Sequence, residues 1–195
     1  RSKLCLAIGS YYDINQNTVY DIAAATEFIH NASLIHDDII DNDGIRRGEL
    51  SIWKKLGNNN AILLGDLLIS MSYSLILNTN INDKSKVLAT NLLSSTIDSL
   101  VRGVYIEINN DFNNDNNILD SYINMITEKT GKLIEFSSKC LLSVSNIDHQ
   151  TQNHICDSLL NFACAYQIND DFNDFSQDNL KKETISDIAN SRANI

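Results

Sequence analysis

The chain reads as an all-α protein, and three observations carry that reading. It holds no proline and only seven glycines among 195 residues, so little in it interrupts a helix. Apolar residues recur three and four positions apart almost throughout, while the alternation of a half-buried strand is scarce. The breaks in that period fall at Asp13–Asn17, Asn42–Gly57, Asn78–Asp83, Asn109–Asn117 and Ser145–Asp148. Each is rich in Asn, Asp, Ser or Gly, as turns are.

Between these breaks the pattern predicts helices over about 2–10, 18–41, 59–79, 85–109, 117–145 and 150–175. On the second, Thr26, His30, Leu34, Asp37 and Asp41 fall on one face. The third contains the most apolar run, Ala61 to Leu77, which is interrupted by Asp66, slightly short for a membrane span and expected to be a core helix. On the last, Cys156, Leu159, Ala163, Gln167, Asp170 and Asp174 share a face. No internal domain boundary or repeat shows, and 1–195 is expected to form a single domain. Its last twenty residues or so, 176–195, are polar and less regular.

The formal charge of −10 argues against a nucleic-acid surface. The four cysteines, Cys5, Cys140, Cys156 and Cys164, form no CxxC pair and no cluster with zinc spacing. Cys156 and Cys164 lie in an apolar helical pattern and are expected as buried, reduced thiols, which suits a cytoplasmic setting. No signal peptide is recognisable and no transmembrane segment is expected.

The chemistry is carried by two aspartate triplets. The first is Asp37-Asp38-Ile39-Ile40-Asp41, followed by Arg46-Arg47-Gly48; the second is Asp170-Asp171-Phe172-Asn173-Asp174, preceded by Gln167. In both helices an apolar stripe turns acidic at its C-terminal end. Carboxylates so placed must be paired or hold a metal, and the negative end of the helix dipole adds to their cost. Two such clusters facing each other across a cleft could hold Mg²⁺ against a diphosphate, because Mg²⁺ takes one or two protein carboxylates plus phosphate oxygens. Asp37 and Asp41 would share metal on one side, and Asp170 with Asp171 or Asp174 on the other. Asp38 and Asp171 stand one step back from the ion. Arg46 and Arg47 follow within reach of phosphate oxygens.

The run from His30 to Gly48, centred on His36-Asp37-Asp38-Ile39-Ile40-Asp41, resembles the first aspartate-rich motif of trans-isoprenyl diphosphate synthases. It is most like the variant of geranylgeranyl and longer polyprenyl diphosphate synthases. Further matches follow in order: Ala61-Ile-Leu-Leu-Gly-Asp66, Lys129-Thr130-Gly131, and Tyr166-Gln-Ile-Asn-Asp-Asp-Phe-Asn-Asp174. The opening Arg1-Ser-Lys-Leu resembles the segment after the family's Gly-Lys pair.

The resemblance implies an isoprenoid-synthase-type helical bundle around a deep apolar cleft, and a head-to-tail prenyl transfer. An allylic diphosphate would sit on Mg²⁺, about three ions per site, held by Asp37, Asp41 and Asp170 with Asp38, Asp171 and Asp174. Arg46 and Lys129 would bind it too, with Thr130 and Gln167 assisting. Isopentenyl diphosphate would lie on Arg1, His30 and Arg47. A homodimer is implied as well. His36, on a neighbouring face, reads as structural, and Trp53 and the tyrosines read as core or interface residues. Ala32 and Ser33, small residues upstream of Asp37, would leave the product pocket open, with Phe28 and Ile29 as a later floor. That favours a product of about twenty carbons or longer.

The chain departs from the family pattern at its ends. The Gly-Lys pair is missing before Arg1, members are longer, and the chain is expected to be a fragment lacking some terminal helices. After Asp174, Lys181, Lys182 and Arg192 offer cations to cover the diphosphate, without the family's glycine. Two other readings compete. A class I terpene cyclase pairs one DDxxD with a different second motif, and a catalytically silent partner subunit loses one aspartate motif. The second triplet argues against both.

Overall fold

A computed structural model describes residues 1–109 and 117–181, with side chains up to Asn173. It is helical almost throughout, as the periodicity predicts. The elements are α1 (Ser2–Tyr11), α2 (Gln16–Ile40), β1 (Ile45–Arg46), β2 (Glu49–Leu50), α3 (Ile52–Leu56), α4 (Asn58–Asn78), α5 (Asp83–Asn109) and α6 (Ile118–Ile126). A π-helical turn over Thr127–Gly131 leads into α7 (Lys132–Ser143), and α8 runs over His149–Lys181. They form two compact units, one of Arg1–Ser94 with Phe136–Asp148, the other of Ser95–Glu135 with His149–Ile195.

The first unit is organised by α2. Its start is fixed by Asn15, whose side chain accepts from the Asn17 and Thr18 N–H groups, supplying two of the partners a helix start lacks. Its end is a Schellman-type stop: Asn42 takes a left-handed φ of 57° and the Asp43 N–H reaches back to the Asp38 carbonyl at 2.9 Å. Thr18, Ile22, Ala25, Ile29, Ala32 and Ile35 make its buried stripe. Helix α4 packs on α2 through small groups. The Ser72 hydroxyl donates to the Ala25 carbonyl at 3.1 Å, and a Cβ at Gly65 would land 2.2 Å from His36 Nε2.

Two expectations about α4 and its surroundings need correction. The helix is not an enclosed core helix. Ala61, Gly65, Ser72 and Ile76 are buried, but Leu63, Leu67, Met71 and Leu77 are exposed. By length and apolar content alone, its 21 residues could cross a membrane. The stretch 42–57 is also not a plain loop. It contains an antiparallel pairing of Ile45 with Leu50 and Arg46 with Glu49, and then α3. Two-residue strands leave no alternation to read.

In the second unit α6, the π turn and α8 pack together. Tyr122, Met125 and Ile126 are buried, with Ile106 and Cys164 against them. Glycine at 103 lets the Lys129 backbone approach α5, since a Cβ there would meet its nitrogen at 2.8 Å. All four cysteines are free thiols. Cys5, Cys140 and Cys156 are buried as expected for Cys156, whereas Cys164 is only half-buried.

Candidate functional site

In the first unit the acidic residues close α2. Asp38, 2% exposed, accepts from Arg46 Nε at 2.7 Å and Nη2 at 2.5 Å. Both of these guanidinium nitrogens meet the same oxygen, Oδ1, in a charge-assisted pair. It holds the guanidinium protonated, above its ordinary range, with the Asp38 hydrogen bond as the main cause. Arg46, expected on the allylic diphosphate, therefore lies on Asp38 in this structure. Asp37 is buried and Asp41 half-buried.

The segment carrying the arginines is pinned. The Trp53 indole N–H donates to the Asp43 carbonyl at 2.7 Å, and the Ser51 N–H to the Gly44 carbonyl at 3.0 Å. Trp53 is thus a half-buried anchor that carries Lys54 Nζ 4.2 Å over its ring. Arg47 and Gly48 form the two-residue turn between the strands, both at positive φ (53° and 82°). That is the type I′ pattern, which usually takes Asn or Asp where Arg47 stands. A bulky side chain held left-handed there is strained, and the turn presents Arg47 to solvent.

Arg1 and His30 come together as expected. Arg1 Nη1 donates to His30 Nε2 at 2.7 Å. The Ser2 N–H donates to Glu27 Oε1 at 3.0 Å, one turn before His30 on α2, which ties the start of α1 to that helix. Burial, and then the Arg1 charge, push the His30 pKa down to about 4, with Glu27 opposing and Arg47 adding a little. The imidazole is therefore neutral and accepts from Arg1. Arg1 on a neutral His30, with Glu27 alongside and the Arg47 charge felt at His30, leaves a net positive charge that suits an anion. His36 turns toward α4 instead. Its Nε2 is buried without a hydrogen bond, 3.8 Å from Asp66 Oδ1.

In the second unit, the face of α8 turned toward protein differs from the expected one only at its acidic end. Cys156, Leu159, Ala163 and Gln167 are buried or half-buried as expected, with Leu160, Cys164 and Asp171 beside them, but Asp170 is exposed. The inward stripe thus ends on Asp171 rather than Asp170. Asp171 takes the Tyr122 hydroxyl on Oδ2 at 2.5 Å and the Gln167 amide on Oδ1 at 2.8 Å. Gln167 in turn accepts from the Thr130 hydroxyl at 3.1 Å. Lys129 Nζ lies 2.6 Å from Glu107 Oε2. Lys129 and Thr130 sit in the π turn, a feature common where helices carry function. The sequence marks Tyr122 only as one of the core or interface tyrosines. Its phenol at the end of an apolar α6 stripe is the available signal, since a buried tyrosine hydroxyl seeks a partner.

Asp174, Lys181, Lys182 and Arg192 lie outside the described side chains. No three His, Cys, Asp or Glu side chains gather as a ready metal cage among the described residues. The donor set still suits Mg²⁺, a hard cation that prefers carboxylate oxygens and keeps positions for phosphate and water. Asp41 and Asp170 are at least partly accessible, while Asp38 and Asp171 are engaged by protein donors.

A model of the polyprenyl synthetase family matches residues 1–195. The chain belongs to that family. It is 30% identical over 191 residues to the farnesyl diphosphate synthase of Buchnera aphidicola, covering 94% of this chain and 67% of that protein. It is 32% identical over 176 residues to heptaprenyl diphosphate synthase component 2 of Bacillus subtilis, covering 90% of this chain and 49% of that one. The crystal structure of geranylgeranyl pyrophosphate synthetase from Pyrococcus horikoshii superposes with a TM-score of 0.73 at 31% identity, covering 79% of this chain and 47% of that one. The chain spans about half the length of several curated relatives that it matches. Those relatives are named for different product lengths, so family membership alone fixes no product.

Proposed function

We propose that this polyprenyl synthetase chain carries the catalytic region of a Mg²⁺-dependent trans-prenyltransferase, joining isopentenyl diphosphate head to tail with an allylic diphosphate. One observation supports this most: in both acidic motifs the second aspartate is held by protein donors, Asp38 by Arg46 and Asp171 by Tyr122 and Gln167. Each DD pair thus has its second member fixed in place by protein donors, and beside Asp171 the neighbouring Asp170 is exposed.

In this reading Asp37, Asp41 and Asp170, with Asp174, would hold the metal. Bound there, Mg²⁺ would offset charge gathering on the departing diphosphate. Lys129, now on Glu107, and Arg46, now on Asp38, would lend cationic hydrogen bonds to the same diphosphate, with Thr130 and Gln167 beside them. Arg1, neutral His30 and Arg47 would seat isopentenyl diphosphate. The allylic carbon–oxygen bond breaks, the isopentenyl double bond attacks the allylic cation, and the departing diphosphate takes the proton lost. The reaction needs no protein nucleophile.

A product of about twenty carbons or longer is favoured, now chiefly on Ser33. Ala32 is 1% exposed inside the α2 packing, whereas Ser33 is half-buried with its hydroxyl on the His30 carbonyl at 2.8 Å. We also place 1–195 in one catalytic domain, in the cytoplasm, assembled as a homodimer. Leu63, Leu67 and Met71, one turn apart along α4, offer such an assembly an exposed apolar stripe.

The test is a product assay on the full natural polypeptide with labelled isopentenyl diphosphate, Mg²⁺ and allylic primers of different lengths. Prenyl diphosphate that disappears in Asp37→Ala supports the transferase. No product from the folded protein sinks it and favours a silent partner subunit or a cyclase.

A further inference from the structure

The α6 tyrosine, Tyr122, touches no proposed substrate group, yet it makes a short polar contact in the second unit's site. Its ring is buried with Met125 and Ile126, against Ile106 and Cys164, at 5% exposure. The ring therefore has little freedom, and its hydroxyl is delivered to one place. That place is Asp171 Oδ2, at 2.5 Å, within the range of an O–H donor on a charged carboxylate. The opposite oxygen, Oδ1, is held by Gln167, whose own carbonyl is fixed by Thr130. Asp171 is thus clamped from two sides by neutral donors attached to α6 and α8, while the adjacent Asp170 is exposed.

Resting on the proposed function, we infer that Tyr122 is a positioning residue: by holding Asp171 against α6 it sets the rotation of this stretch of α8 and so decides that Asp170 is the aspartate offered to metal and diphosphate. Without the hydroxyl, Oδ2 of a half-buried carboxylate loses its donor. Asp171 then gains by turning toward cations itself, and the two neighbours compete for one ligand position.

The experiment compares the full polypeptide with Tyr122→Phe, Asp171→Asn and the double variant, and uses exposed Tyr105→Phe as control. Two quantities are read. One is the rise in unfolding temperature produced by Mg²⁺ with inorganic diphosphate, without turnover. The other is the Mg²⁺ dependence of kcat beside KM for isopentenyl diphosphate. Tyr122→Phe is expected to raise half-saturating Mg²⁺ by roughly 10- to 100-fold, as loss of a group supporting a metal ligand does. It should shrink the thermal response and leave KM for isopentenyl diphosphate unchanged. Asp171→Asn should show its own defect, and the double variant should be no worse than it. A Tyr122→Phe protein with wild-type Mg²⁺ dependence overturns the inference alone, as do defects that multiply in the double variant. Should Tyr122→Phe not fold, Gln167→Leu, which removes the donor to Oδ1, must raise half-saturating Mg²⁺, and an unchanged value overturns the inference. A wild-type protein with neither product nor Mg²⁺–diphosphate stabilisation overturns the functional reading, and this inference with it.

Discussion

The Arg46 guanidinium grips the Asp38 carboxylate with two nitrogens, at 2.7 and 2.5 Å, joining the arginine strand to the end of α2. The carboxylate is buried while the arginine is about one-third exposed. Asp38→Ala should therefore destabilise the fold by about 2 kcal/mol, the scale of a lost hydrogen bond to a charged group. Urea unfolding checks this, and a loss under about 0.5 kcal/mol, the usual scale of a surface change, would make the pair ornamental.

At Gly65, a methyl group would meet the His36 ring at 2.2 Å. Gly65→Ala should cost about 1–3 kcal/mol by overpacking. His36→Ala in the same chain should recover part of it, because the ring is what the methyl strikes. If the two losses simply add in thermal melts, the close approach is not their cause.

His30 gives a pH signature. Its folded pKa, about 4, lies below the ordinary 6.5, so the unfolded chain binds a proton more readily. Its contribution to stability is present in full above about 6.5 and is lost as pH falls toward 4. The gap in stability between wild type and His30→Gln should therefore narrow across that window. Glu27, whose pKa is also lowered and which interacts with His30, responds to acid as well, so the comparison is repeated in a Glu27→Gln background. A gap that widens on acidification would mean that His30 is charged in the folded protein.

Arg47 trades stability for charge. Asn tolerates the left-handed conformation better, so Arg47→Asn should stabilise the chain by about 0.5–1 kcal/mol. It should also raise KM for isopentenyl diphosphate roughly tenfold or more, the value of a charged hydrogen bond. An unchanged KM would remove Arg47 from the proposed substrate site.

Most of the helices were legible because each buries one face, and burial imposes the 3.6-residue period on the sequence. The pairing of Arg1 with His30 was foreseeable only through the family resemblance, since Arg1 precedes α1 while His30 lies on α2. Register was harder. On α8 both Asp170 and Asp171 lie within the angular spread of one stripe, and what separates them is Tyr122, nearly fifty residues upstream in sequence. The exposure of α4 was hidden for a different reason. An apolar helix covered by its own chain and one left open have the same composition.

The π turn at Thr127–Gly131 closes with the Lys132 N–H on the Thr127 carbonyl, one residue more than an α-helical turn contains. Removing any one residue there would anneal α6 and α7 into a continuous rod and swing α6 by about 100° relative to α7. Tyr122 could then no longer meet Asp171 while Thr130 still met Gln167. A change in the length of this stretch cannot be absorbed by a single substitution elsewhere, so among relatives the segment should keep its length.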